Sequence, residues 1–314
     1  GLVLGGGGAR GLAHLGIIRA LTEAGVMVDL VGGTSQGAFV GALYAESPDD
    51  LELVVQKCRA FAIMMSSVWE KLSDLTLPLT SIFSGKRFNQ GIKRILGNNV
   101  RIQDTVLTFF CISVDVQKRK QVVHEKGLLW KYVRASMSLS GYLPPICEDG
   151  SMLVDGGYLN AVPADVMREF NGTHTVISVD VSAEMVRNYY NYGSHLNGWW
   201  LLWNSLNPFV ETVNVPSMTD INDTLRWVSS DRHRETVKDS ADLNLRPPVG
   251  QYNTLAYEKF DELVEVGYNY AKPIVDKWVQ NNPQLVSSRL KKRNIAAAAS
   301  ILAGKEKSGV DKVS

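Results

Sequence analysis

Residues 1–11 read GLVLGGGGARG, and residues 30–37 read LVGGTSQG. In the first stretch Leu2 to Leu4 are apolar enough to end a buried strand. Ile17, Ile18, Leu21 and Ala24 then repeat at the spacing of a helix face. The glycines between them join a strand to a helix. A loop of that kind offers backbone N–H groups either to a phosphate or to the oxyanion formed when an ester is attacked.

The phosphate reading has a motif of its own. Gly6-x-Gly8-x-x-Gly11 follows a strand and opens a helix, and Asp29 lies about 20 residues on, as in a dinucleotide-binding fold. Two details oppose it. Asp29 falls at the start of the second strand, where it is badly placed for a ribose, and that strand runs directly into a second glycine motif. Gly33-Thr34-Ser35-Gln36-Gly37 is G-x-S-x-G between a strand, read over Val28 to Val31, and a helix, read over Ser35 to Ala45. That context matches a nucleophile elbow, where glycines flank the serine because side chains would collide in so sharp a turn. The plainer alternative is that Ser35 is a helix N-cap.

A nucleophilic serine needs a base. The five histidines offer none in an obvious place: His14, His124, His174, His195 and His233 read as packed or surface residues. Asp155 is better situated, at the end of a short strand, Met152 to Val154, and before Gly156-Gly157. Catalytic groups of open α/β sheets gather at that edge. The plain reading of Asp155 is a turn cap. If Ser35 attacks an ester, the N–H groups of Gly6, Gly7 and Gly8 are the candidate oxyanion donors, worth roughly 3 kcal/mol each. Arg10 stands beside them to brace the loop or meet a lipid phosphate, with a surface arginine as the plain alternative.

Along the rest of the chain strands alternate with helices. Helical patterns cover Asp50 to Met65, Lys86 to Leu96, Leu128 to Ser138, Ala164 to Phe170, Gly198 to Leu206, Ile221 to Val237 and Thr254 to Gln280. Strand patterns cover Val106 to Val114, Gln121 to His124 and Thr173 to Val181. The alternation predicts an α/β fold with a mainly parallel sheet covered on both faces. At 314 residues the chain is long enough for one large domain, and from about residue 284 its RLKKR run, alanines and Lys/Gly/Ser end predict a mobile tail or a surface helix.

A net charge of +1 with 45% hydrophobic and 21% charged residues gives no sign of a nucleic-acid surface. Three scattered cysteines fit neither a disulfide framework nor a zinc site, and no metal or other cofactor is implied. No apolar run reaches the roughly 20 residues that span a bilayer. The absence of an initiating methionine suggests a piece of a longer polypeptide. Trp199, Trp200, Leu201, Leu202 and Trp203 form an apolar cluster whose plain reading is a packed helix and whose alternative is an acyl-facing or interfacial patch.

With these motifs in view the sequence resembles the patatin-like phospholipases, and among them the neuropathy target esterase branch of lysophospholipases. The matching text is LVLGGGGARG, VDLVGGTSQGAFVGALYAE, YVRASMSLSGYLPP and LVDGGYLNAVPAD, over about residues 1 to 280. The resemblance implies a three-layer α/β/α catalytic domain over residues 1–283. It implies a dyad in which Ser35 is the nucleophile and Asp155 the base, with Gly6 to Gly8 and Arg10 as the oxyanion loop and Gly11, Gly33, Gly37, Gly156 and Gly157 as motif glycines. It further implies hydrolysis of lysophosphatidylcholine and related phospholipids at a membrane surface, upstream regulatory domains, and a location on the endoplasmic reticulum facing the cytosol. Two other functions stay open at this point: a dinucleotide-dependent oxidoreductase and a catalytically silent lipid-binding domain.

Overall fold

The computed structural model describes residues 1–286 except 171, 183–188, 208–209, 211–212, 217–220, 222–223, 226–227 and 229–239. Most of the predicted helix over Ile221 to Val237, and the tail beyond 286, lie outside that set. Val286 pairs with Val26, so the folded unit reaches past the predicted boundary at 283.

The sheet is built from β1 (Leu2–Leu4), β2 (Leu30–Gly33), β3 (Thr108–Asp115), β4 (Lys120–His124), β5 (Ile146–Glu148), β6 (Ser151–Asp155), β7 (Ile177–Val179) and β8 (Leu243–Leu245). β3, β2, β1, β7 and β8 run parallel in that order, and β4, β5 and β6 join by antiparallel pairing. The second strand begins two residues later than its apolar run suggests and carries its pairing through Gly32 and Gly33 to the turn. β5 and β8, three residues each, are too short to show a periodicity in sequence.

Helices are α1 (Ala13–Glu23), α2 (Gln36–Glu46), α3 (Leu51–Ser66), α4 (Val68–Ser73), α5 (Lys86–Leu96), α6 (Leu129–Ser136), α7 (Ala164–Glu169), α8 (Gly198–Leu206) and α9 (Phe260–Asn281). Alternate side chains of one strand enter two separate cores, as the period of a strand requires. Leu2, Leu4, Phe109 and Cys111 pack into the large core with α1, α2, α3 and α9. Val3, Phe110 and Ile112 pack into a small one with Ala164 and Met167 of α7. The sheet is thus covered on both faces, giving three layers.

One sequence expectation holds and one changes. Asp29 precedes β2, whereas Gly6 to Gly11 follow the parallel, in-register β1, so the acid and the glycine loop lie at opposite ends of the sheet. That removes the ribose contact on which the dinucleotide reading depended. The tryptophan cluster does form a helix, but not a packed one: on α8 Trp199 is 81% and Trp203 69% exposed.

The register of β3 positions the site. Cys111 pairs with Gly33 of β2 and with His124 of β4, so those two strands lie on opposite edges of β3. Ser113 pairs with Val122 of β4 and with Asp155 of β6. β6 therefore occupies the same edge as β2, running the other way. The two strands meet end to end, so Ser35, two residues past the end of β2, and Asp155, the last residue of β6, leave the sheet along the same edge of β3.

Candidate active site

Ser35 sits between β2 and α2 at φ 54° and ψ −123°, a conformation that L side chains avoid. The turn around it leaves no room for alternatives. A Cβ on Gly33 would lie 2.6 Å from the Gly37 carbonyl carbon, and one on Gly37 2.0 Å from the Leu4 oxygen. The Thr34 N–H donates to Leu4 O at 3.1 Å, and its hydroxyl donates to Asn160 O at 3.0 Å. The Ser35 N–H donates to Ser136 Oγ at 2.9 Å. The Ser35 side chain makes no capping hydrogen bond to α2, so the N-cap alternative fails.

Asp155 ends β6 and is 1% exposed. Its N–H donates to Ser138 O at 3.0 Å, and its Oδ1 accepts the Gly157 N–H at 2.7 Å. The turn-capping role is therefore real, and it also orients the carboxylate. Gly156 must be glycine there, because a Cβ would stand 2.5 Å from Ile112 O.

The opening loop is anchored from outside. Gly5 N–H donates to Val179 O at 2.9 Å, Gly6 N–H to Ala161 O at 3.0 Å and Ala9 N–H to Thr254 O at 2.7 Å. The expectation that Gly6 supplies an oxyanion donor is thus corrected, since its N–H is already engaged. Its α-carbon instead lies against the serine, where an added Cβ would stand 3.1 Å from Ser35 Cβ. Among the described residues the N–H groups of Gly7 and Gly8 have no acceptor. Gly8 holds φ +58°, and a Cβ there would strike Thr254 O at 2.3 Å.

Arg10 is fully buried, donating from Nε to Gly7 O at 3.3 Å and from Nη2 to Thr254 Oγ1 at 2.8 Å. Those bonds brace the loop. His14 is a second brace: burial lowers its pKa to about 4, and the neutral ring donates from Nε2 to Gly5 O at 2.8 Å. Gly11 lets the loop pack on α2, since a Cβ would lie 2.6 Å from Gln36 Cγ.

The end of α6 and the residues just after it, read as helix and as part of the family resemblance, secure both halves of the site. Ser136 accepts from Ser35, and Ser138 accepts from Asp155. Arg134, also buried, donates to the Ser138 hydroxyl, to Asn89 Oδ1 at 2.8 Å and to Pro144 O at 3.1 Å. Burial lowers its pKa to about 10, against an opposing pull from Asp74. The stretch RASMS contains these residues, but no local spacing announces that their partners lie far away in sequence.

Ser35, Asp155 and Gly8 line one cavity, with Met65, Phe88 and Leu143 among the apolar side chains on its walls. A strained serine at a helix start, a buried carboxylate and a glycine loop with open N–H groups at one cavity are the parts of a nucleophile-elbow α/β hydrolase. The family pattern of the patatin-like phospholipases matches residues 2–168, and the chain belongs to that family.

It is 48% identical to human patatin-like phospholipase domain-containing protein 6, over 90% of this chain and 20% of that protein. It is 46% identical to the Drosophila melanogaster neuropathy target esterase sws, over 87% of this chain and 19% of that one. Against the Saccharomyces cerevisiae lysophospholipase NTE1 the identity is 44%, over 87% and 16%. The chain spans about a fifth of the length of these curated relatives.

Proposed function

We propose that this chain is a serine lipid esterase that releases fatty acid from lysophospholipids, lysophosphatidylcholine foremost, through an acyl-enzyme on Ser35. Asp155 takes the proton from Ser35 Oγ as the oxygen attacks the ester carbonyl carbon. The carbonyl oxygen becomes an anion and accepts the N–H groups of Gly7 and Gly8. Collapse breaks the bond to the glycerol oxygen, which leaves with the proton from Asp155. Water then attacks the acyl carbon and gives its proton to the same carboxylate; the bond from the acyl carbon to Ser35 Oγ breaks, Oγ takes that proton back, and the fatty acid leaves. A carboxylate is a weak base for a hydroxyl, so in this scheme position and exclusion of water carry most of the effect.

The observation that carries the reading is Ser35 itself: a backbone held at φ 54°, at the cavity that Asp155 and Gly8 also line. Strain of about 1–3 kcal/mol persists where the surroundings enforce it, characteristically at functional sites. The relatives named for phospholipase and lysophospholipase activity support the substrate class.

The test is release of palmitate from palmitoyl-lysophosphatidylcholine by the purified chain. Ser35→Ala and Asp155→Asn are each expected to lower kcat by roughly 10⁴-fold with native melting curves. Near-normal turnover in Asp155→Asn removes the dyad, and in Ser35→Ala the whole reading.

The same reading carries an expected location, the cytosolic face of the endoplasmic reticulum membrane, with the sequence resemblance as its support. Among the described residues no helix is long and apolar enough to cross a membrane. Exposed apolar side chains such as Trp199 and Trp203 offer contact with a lipid surface.

A further inference from the structure

Resting on the esterase reading, a second cavity extends the site. It is lined by Met64, Phe83, Asp74 and Arg87 together with Met65, Phe88, Tyr142 and Leu143. The last four also line the cavity at Ser35, so they form a partition between two adjoining spaces. Counting their open mouths, the spaces measure about 440 Å³ at Ser35 and about 380 Å³ beyond the partition.

The second space suits an unbranched hydrocarbon and little else. Apart from Asp74 and Arg87, its walls are thioether, aromatic and aliphatic. Asp74 is already committed, accepting from the Ser84 hydroxyl, from Gly85 N–H at 3.1 Å and from Arg87 N–H at 3.3 Å. An amine or sugar therefore gains no new partner from that carboxylate, whereas methylene groups gain by leaving water. We propose that this cavity receives the distal half of the fatty acyl chain, with the carbonyl end at Ser35, and that Phe83 and Met64 set the chain length the enzyme accepts.

The partition has a fixed part and a movable part. Phe88 is held edge-on against Phe61, with centroids 5.9 Å apart at 82°, and the Arg134 guanidinium stands 5.4 Å from its ring centroid. Met65, buried at the end of α3, has an unbranched side chain with three rotatable bonds, and in this proposal it is the side chain that turns aside. Asp74 and Arg87 in the lining penalise any methyl group pushed against them, which gives the chain an upper length.

The experiment compares kcat/KM for p-nitrophenyl butyrate and p-nitrophenyl palmitate in the unaltered chain and in two variants at one position. Phe83→Trp fills the second cavity, and the palmitate-to-butyrate ratio is expected to fall about 10-fold, the scale of a few lost methylene contacts. Phe83→Ala enlarges it and is expected to move the preferred chain toward the longer p-nitrophenyl arachidate. Opposite shifts from one position support the cavity as a length gauge, since mere damage to packing moves both variants the same way. Turnover with a chain-length profile that both variants leave alone overturns this inference only. Absence of turnover of every ester by the unaltered chain overturns the esterase reading and this one with it.

Discussion

The two glycine turns leave neighbouring parallel strands at the same level, Leu4 being in register with Gly33, and they solve opposite problems. The turn after β1 displays backbone. Its N–H groups at Gly5, Gly6 and Ala9 are tied to three distant carbonyls, and Arg10 and His14 hold its own carbonyls, which leaves Gly7 and Gly8 to offer theirs. The turn after β2 displays a side chain. It stores its strain in one residue and clears space around that residue with Gly33 and Gly37. Displaying amides takes anchors from outside, and displaying a hydroxyl takes steric clearance from within.

The contrast breaks most visibly when each turn is given a methyl group. In Gly37→Ala the new Cβ would meet backbone, 2.0 Å from Leu4 O and 2.4 Å from Leu4 C, so β1 and α2 must part. A loss above about 4 kcal/mol is expected, enough to remove the cooperative melt. Gly7→Ala meets Val181 less closely, at Cγ2 2.7 Å and backbone O 3.1 Å away, with φ 178° that any residue adopts. There about 1–3 kcal/mol is expected from denaturant unfolding. Next in size is Ser136→Ala, which leaves the buried Ser35 N–H without its acceptor at a cost of about 1–3 kcal/mol. The same variant is expected to slow ester turnover, because the elbow then relaxes.

Ser35→Gly sharpens the comparison from the other side. Relief of the positive φ is expected to raise the unfolding free energy by about 1 kcal/mol while abolishing activity. The smallest effect comes from the brace of the first turn. His14 has a folded pKa of about 4 against an ordinary 6.5, so between those values the unfolded chain binds a proton that the folded chain refuses. The stability it protects is complete above about pH 6.5 and is lost as pH falls toward 4. From pH 7 to 6 this amounts to less than about 1 kcal/mol, read as the difference in slope between the unaltered chain and His14→Gln.

These differences also explain what was legible in sequence. Gly33, Gly37 and Gly156 were readable because tight turns demand glycine locally, and Ser35 and Asp155 were readable because they stand beside those glycines at strand ends. The alternating strands and helices gave the layers. Which amide of the loop is free was not readable, since the Gly6 N–H is taken by Ala161, far along the chain. Ser136, Ser138 and Arg134 were hidden for the same reason: their work is done across the fold, inside what reads locally as an ordinary helix end. The exposure of Trp199 and Trp203 likewise depends on what packs nearby, which an apolar stripe cannot tell.

The most direct test of the site is peptide mass spectrometry after exposure to an alkyl fluorophosphonate. The account predicts one adduct, on the peptide carrying Ser35, formed at a much lower rate in Asp155→Asn. An adduct on another serine, no adduct at all, or an unchanged rate in Asp155→Asn would contradict it.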